Sequence, residues 1–241
     1  GLYVVDEANI ESHGMGYGEE SLAHDQNYEY AHLERIRRMV QRDFNHPSVI
    51  IWSLGNEAGY GQNFIKGYYM VKDMDQSRPV HYERAEGREG TDIACPMYYD
   101  YDSCERYASR DPRPSKPLIQ CEYAHAMGNS LGDFNYYWML IRKYPKFQGG
   151  FIWDMIDQAP RWKNSKGETI FAYDGDFNEP ATGDHNFSIN GLFGPDREAH
   201  PHAYEVRYYY QNVWTTLEDS ADTQAGNVTV NVYNENFFRS L

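Results

Sequence analysis

Two glutamates at the ends of short apolar runs define the chemistry open to this chain. Glu57 closes the run Val49-Ile50-Ile51-Trp52-Ser53-Leu54-Gly55-Asn56, and Glu122 closes Pro117-Leu118-Ile119-Gln120-Cys121. Each run reads as a strand buried on both faces that ends abruptly in a turn with an acid on it. In a parallel β/α architecture the carboxyl ends of strands carry the reacting groups, so both acids are candidate catalytic residues. Taken alone, Glu57 is as well explained as a cap on the helix that follows, because acids favour helix N-termini. Two carboxylates delivered with the same grammar suggest a paired acid and nucleophile.

A third strand-to-loop transition, Asp6-Glu7-Ala8-Asn9-Ile10-Glu11-Ser12-His13-Gly14-Met15, is rich in oxygen and imidazole ligands. Glu11 and His13 stand two apart, so on extended backbone both point the same way, which suits a divalent ion. Gly14, Gly16 and Gly18 argue against a helix here. The alternative is that Glu11 and His13 only pair with each other.

The elements that must position these residues alternate along the chain. Apolar residues at Leu33, Ile36, Met39 and Val40 predict an amphipathic helix over 28–42, with Arg35, Arg37, Arg38 and Arg42 on a solvated face. A second helix is predicted over 62–75, and another carries Phe134, Trp138 and Ile141. Strand signals start at Gly1, Val49, Val80, Ile93, Leu118 and Gly150, the last ending near Trp153. Segments 99–116 and 158–201 read as loops. Alternating strands and helices are the pattern of βα units, and a closed barrel of this kind needs eight strands. Six are present and the first begins mid-strand, so the chain is expected to be a piece of a longer protein. The fold class is therefore α/β, a (β/α)8 barrel lacking its first two strands over residues 1–203. From Tyr204 the chain reads as β, with Tyr208-Tyr209-Tyr210 and the alternating Val228-Thr229-Val230-Asn231-Val232-Tyr233. Residues 204–241 are expected to begin a sandwich domain.

Composition narrows the partners. A net charge of −14 argues against nucleic acid or an anionic membrane. Aromatic residues make up 16% of the chain, which suits a sugar cleft and an aromatic core equally. There is no apolar run of membrane-spanning length and no signal-peptide pattern. Three cysteines make no disulfide framework, and Cys95 and Cys121 lie in apolar runs as buried, reduced thiols. The compartment stays open between cytoplasm and periplasm, with the cytoplasm favoured.

Taken together, the motifs match a family. The segments Val4 to Met15, Asn45 to Gly59, Cys95-Pro96-Met97-Tyr98, Cys121 to Ser130 and Gly149 to Gln158 resemble, in order, the catalytic region of the bacterial lactose-cleaving β-galactosidases of glycoside hydrolase family 2. The resemblance implies a (β/α)8 barrel whose fourth strand carries Glu57 and whose seventh carries Glu122. It implies that Glu57 is the general acid/base and Glu122 the nucleophile of a retaining glycosidase. Asn56 then contacts the sugar 2-hydroxyl, Tyr98 hydrogen-bonds the nucleophile, His125 binds sugar hydroxyls and Trp153 forms an apolar wall. Glu11, His13 and Glu57 match ligands of an active-site Mg²⁺. Phe187, through its carbonyl, and Asn190 match part of a Na⁺ site whose carboxylate ligand would lie upstream.

The same resemblance implies that upstream barrel strands, sandwich domains and a homo-oligomeric assembly complete the enzyme. Galactose rests on the resemblance, because residues outside the chain contribute to the sugar site. A β-glucuronidase or β-mannosidase of the same family is the alternative. The isolated chain is expected to be inactive or to aggregate, as a carbohydrate-binding or structural fragment, since a barrel short of two strands exposes sheet edges.

Overall fold

Parallel strands in chain order form the scaffold of the computed structural model, which describes residues 2–110, 116–177, 183–218, 226 and 228–241. Strands β1 (Val4–Glu7), β2 (Val49–Ser53) and β3 (Val80–His81) make one parallel sheet, and β4 (Leu118–Tyr123) pairs in parallel with β5 (Phe147–Ile152). All carboxyl ends therefore open on the same side of each sheet. The register sets Glu7 opposite Ser53, which brings the end of β1 level with the turn that carries Glu57.

Segment 93–98, predicted as a strand, joins the two sheets but forms only isolated parallel bridges, Ala94 with Leu118 and Met97 with Glu122. The amides of Ile119 and Cys121 donate to the carbonyls of Ala94 and Pro96 at 3.0 and 3.1 Å, and Asp92 N donates to Val80 O at 2.7 Å. Pro96 has no N–H to give back, which interrupts the ladder; the Tyr98 amide still donates to Glu122 O at 2.9 Å, and there the chain leaves the extended region at φ 51°.

Helices cover the sheets. Helix α1 (Gln26–Asp43) begins at Asp25, whose carboxylate accepts from Asn27 N at 2.8 Å, and buries His32, Ile36, Met39 and Val40. Ile36, Met39 and Val40 are the predicted face; at its start His32 is buried and Leu33 only half-buried. Helix α2 (Gln62–Met74) packs on it and buries Phe64 and Val71. The two helices share a core with Trp52 of β2 and with Leu54 and Tyr82, the residues that follow β2 and β3. Trp52 is fully buried, and its indole N–H donates to Asp75 Oδ2 at 2.9 Å. Burial pushes the Asp75 carboxyl up, but bonds from Ser77, Trp52 and Arg78 outweigh it and hold the group well below the usual carboxylate range.

Three stretches depart from the sequence expectation. Part of 99–116 is helix α3 (Tyr101–Ala108), started by Asp100, which accepts from Ser103 N at 2.7 Å; 111–115 lie outside the described residues. Part of 158–201 is an antiparallel hairpin of β6 (Arg161–Lys163) and β7 (Thr169–Phe171). The tyrosine-rich run from Tyr204 is not β: it belongs to helix α5 (Pro201–Tyr209), with Pro201 in its first turn. Aromatic residues favour strands, but Ala203, Val206 and Tyr209 recur at helical spacing. They pack against Tyr123, Phe134 and Trp138, the last two on helix α4 (Phe134–Lys143). Only after α5 does the chain turn to β, in the antiparallel pair β8 (Val213–Leu217) and β9 (Val230–Asn234). An Arg142–Glu235 ion pair of 2.7 Å ties that hairpin back to α4.

Candidate active site

The turn after β2 is built to present Glu57. Gly55 takes φ 140°, and a Cβ there would lie 2.6 Å from Ile10 O, so only glycine admits the crossing of the two loops. Asn56 N donates to that same carbonyl at 2.9 Å. Glu57 itself sits at φ 38°, a left-handed conformation that costs a non-glycine residue on the order of 1 kcal/mol. Its amide is held by the buried carboxylate of Glu83, Glu57 N to Glu83 Oε1 being 2.9 Å. The Glu57 side chain accepts from Tyr17 Oη at 2.9 Å, and it lies 3.3 Å from Arg84 Nη2 and 3.2 Å from His13 Nδ1.

Glu122 stands near the end of β4. Tyr98 Oη donates to its Oε2 at 2.5 Å. Burial pushes the Glu122 carboxyl up to about 7; the Tyr98 bond opposes this, while the charges of Glu57, Glu7 and Glu11 add to it. Burial, and then the Glu122 carboxylate, raise the Tyr98 phenol far above its ordinary value, so it stays a donor. The His125 ring meets Tyr98 edge to face at 5.9 Å and lies 5.6 Å from Phe187. Burial lowers the His125 imidazole, with Asp154 opposing. Trp153 follows β5 and is 37% exposed as a residue, and its carbonyl accepts from Ala126 N at 2.9 Å.

Apart from Trp153 and Asn190, the predicted residues thus fall into two groups that share one field of carboxylates. Glu11, His13, Asn56 and Glu57 form the first, and Tyr98, Glu122, His125 and Phe187 the second. Within the first, the extended geometry expected for Glu11 and His13 is corrected. Glu11 bridges to Asn56, but His13 opens a single 3-10 turn, His13–Met15. The turn swings the imidazole to Glu57, while Glu11 Oε1 stays 3.4 Å from Asn56 Nδ2. Among the described residues no three His, Cys, Asp or Glu side chains converge as a metal cage. The donors still fit Mg²⁺ in kind, because that ion takes one or two carboxylates and keeps its waters, and both Glu11 and His13 are exposed. At the other candidate site, Asn190 Nδ2 donates to Phe187 O at 2.9 Å. Asn190 Oδ1 is buried without a hydrogen-bond partner among the described residues, which suits an oxygen ligand to Na⁺.

Four residues at the site went unread in the sequence. Glu83 and Arg84 follow β3 just as Glu57 follows β2, so the strand-to-acid signal was present in Val80-His81-Tyr82-Glu83. Glu7 ends β1 and accepts from Ser53 Oγ at 2.7 Å. Tyr17 carries no local signal at all, since it lies in a loop 40 residues from its partner.

Residues 1–215 match the profile of the glycosyl hydrolases family 2 TIM barrel domain. The chain belongs to glycoside hydrolase family 2. It is 45% identical over 255 aligned residues to a β-galactosidase of Leuconostoc mesenteroides, covering 100% of this chain and 24% of that protein. A β-galactosidase of Pectobacterium atrosepticum is 48% identical over 225 residues, covering 88% and 21%. The chain thus spans about a quarter of the length of the curated relatives it matches. Among solved structures, a family 2 β-galacturonidase from Eisenbergiella tayi aligns with a TM-score of 0.55 at 13% identity, over 86% of this chain and 40% of that one. A family 2 member from Bacteroides cellulosilyticus aligns at 0.53 with 20% identity, over 81% and 24%. Those two likenesses concern the fold alone. The incomplete (β/α)8 barrel expected from the motifs is therefore the family 2 catalytic domain in part, and among the described residues no helix is long and apolar enough to cross a membrane.

Proposed function

We propose that this chain is the catalytic part of a retaining β-galactosidase, cleaving terminal β-galactose from lactose-like glycosides. What carries the reading is the placement of Glu57 and Glu122 at the carboxyl side of parallel strands, within one electrostatic field. Galactose is taken from the names of relatives 45% and 48% identical. Glu122, oriented by Tyr98, attacks the anomeric carbon while Glu57 protonates the departing oxygen; Glu57 then deprotonates the water that hydrolyses the glycosyl-enzyme. Asn56 and His125 hold sugar hydroxyls, and the half-open face of Trp153 packs on the ring. The remaining barrel strands and sandwich domains belong to the rest of a longer polypeptide. Three free thiols, Cys95, Cys104 and Cys121, suit a reducing compartment, here the cytoplasm.

The test is a panel of nitrophenyl glycosides given to the intact protein. The galactoside is expected to turn over fastest. Faster turnover of the glucuronide or the mannoside would reassign the sugar and leave the mechanism standing.

Mg²⁺ would be held by Glu11, His13 and Glu57, and it would supply positive charge amid four carboxylates. Glu122 must be ionised to attack, so the raised value near 7 makes kcat/KM fall as the pH drops below it. A nearby cation favours the ionised form and moves that acid limb down. Chelation is expected to shift the limb up towards pH 7, and replacing Na⁺ by choline to raise KM through Phe187 and Asn190. A limb that stays in place and an unchanged KM would remove the two ions from the reading.

A further inference from the structure

The residues around Glu57 are more than its neighbours in sequence space require. Glu57 Oε1 has two donors, Tyr17 Oη at 2.9 Å and Arg84 Nη2 at 3.3 Å, while among the described residues Oε2 is paired only with His13, at 3.2 Å. Arg84 is itself fixed from two sides. Its Nε lies 2.9 Å from Glu83 Oε1, and its guanidinium sits 3.7 Å above the Tyr17 ring. The Glu83 side chain is only 4% exposed, and the same Oε1 accepts the Glu57 amide, so one buried carboxylate holds both the backbone of Glu57 and the cation that holds its side chain. Neutralising the buried Glu83 is one use of Arg84, but that use does not require a guanidinium nitrogen on Glu57.

We propose that Arg84 and Tyr17 are positioning residues for the acid/base, clamping Glu57 Oε1 and so leaving Oε2 to carry the proton delivered to the leaving oxygen. A protonated carboxyl has one O–H to give, and an oxygen already accepting from two donors is the one that stays bare. The clamp fixes the rotamer of Glu57 as well as the choice of oxygen; in kcat/KM, which reports the steps up to departure of the leaving group and not the later hydrolysis, both matter only when that group needs a proton. This rests on the acid/base assignment of Glu57 made above.

The experiment compares aryl and alkyl β-galactosides on the intact protein, from dinitrophenyl, which departs without help, to methyl, which does not. Arg84→Met is expected to lose about 10–100-fold in kcat/KM on the methyl glycoside, with a loss at least about tenfold smaller on the dinitrophenyl one, a part of the full value of general acid catalysis. Arg84→Lys keeps the charge without the fork and should recover part of that loss. Tyr17→Phe keeps the ring under Arg84, removes the hydroxyl and should show the same leaving-group pattern in weaker form. An equal loss on every leaving group in the Arg84 and Tyr17 variants would mark a merely structural role and overturn the proposal, as would no loss at all. Glu57→Gln serves as the reference: if it shows no leaving-group dependence, the acid/base assignment fails first, and the clamp with it.

Discussion

Glu122→Gln is expected to abolish turnover while substrate still binds. The loss in kcat should be roughly 10⁵-fold, or about 7 kcal/mol of transition-state stabilisation, because no other group replaces a covalent nucleophile. The amide keeps the size of the side chain and can still meet Tyr98, so the site should survive and Kd for a galactoside should change little. A second variant, Glu122→Gly, opens space where an external anion can attack. With azide and an activated galactoside it should yield the α-galactosyl azide, since a single displacement inverts the anomeric centre. Wild-type hydrolysis should give the β-sugar first, because two inversions restore it. An α-configured first product in the wild type, or a Gln variant with near-normal turnover, would mean that Glu122 is not the nucleophile.

Removing the acid/base has a different signature. Glu57→Gln should cost about 10²–10⁴-fold on substrates with poor leaving groups. On dinitrophenyl galactoside the first step should remain fast, and the enzyme should accumulate as its glycosyl form after a burst. Azide needs no general base, so it should restore turnover and release the β-galactosyl azide. The expected burst comes from the second step, in which Glu57 must take a proton from water. A slow variant that shows no burst and no azide rescue would place the acid/base elsewhere. Both experiments belong on the intact protein, because the chain covers about a quarter of the length of its relatives.

The electrostatics of the pair set a condition on any account of the mechanism. Two carboxyl groups sharing one field cannot both ionise easily, and in a retaining glycosidase the one pushed towards its protonated form is expected to be the acid. In the structure burial raises Glu122, the proposed nucleophile, to about 7. Glu7, Glu11 and Glu57 crowd the same space, and among the described residues the one fixed cation touching the pair is Arg84, on the Glu57 side. Working near neutral pH therefore asks for further positive charge close to Glu122. That is the physical argument for a cation among Glu11, His13 and Glu57.

The sequence by itself determined the strand-end glutamates, because a buried strand is a short apolar run and its end is marked by the first polar turn. It also determined α1, α2 and α4, whose apolar residues recur at helical spacing. Motif order carried the family. It misjudged 101–108 and 201–209, where polar or tyrosine-rich residues blur the period and Asp100 or Pro201 was the better clue to a helix start. What only the tertiary structure decided is the company each acid keeps. Tyr17, Glu57 and Arg84 meet across gaps of 40 and 27 residues, and Tyr98 reaches Glu122 across 24. Such contacts depend on how parallel strands are set in register and where their loops cross. Local periodicity encodes which face of an element is buried; it contains no information on which distant side chain will stand opposite.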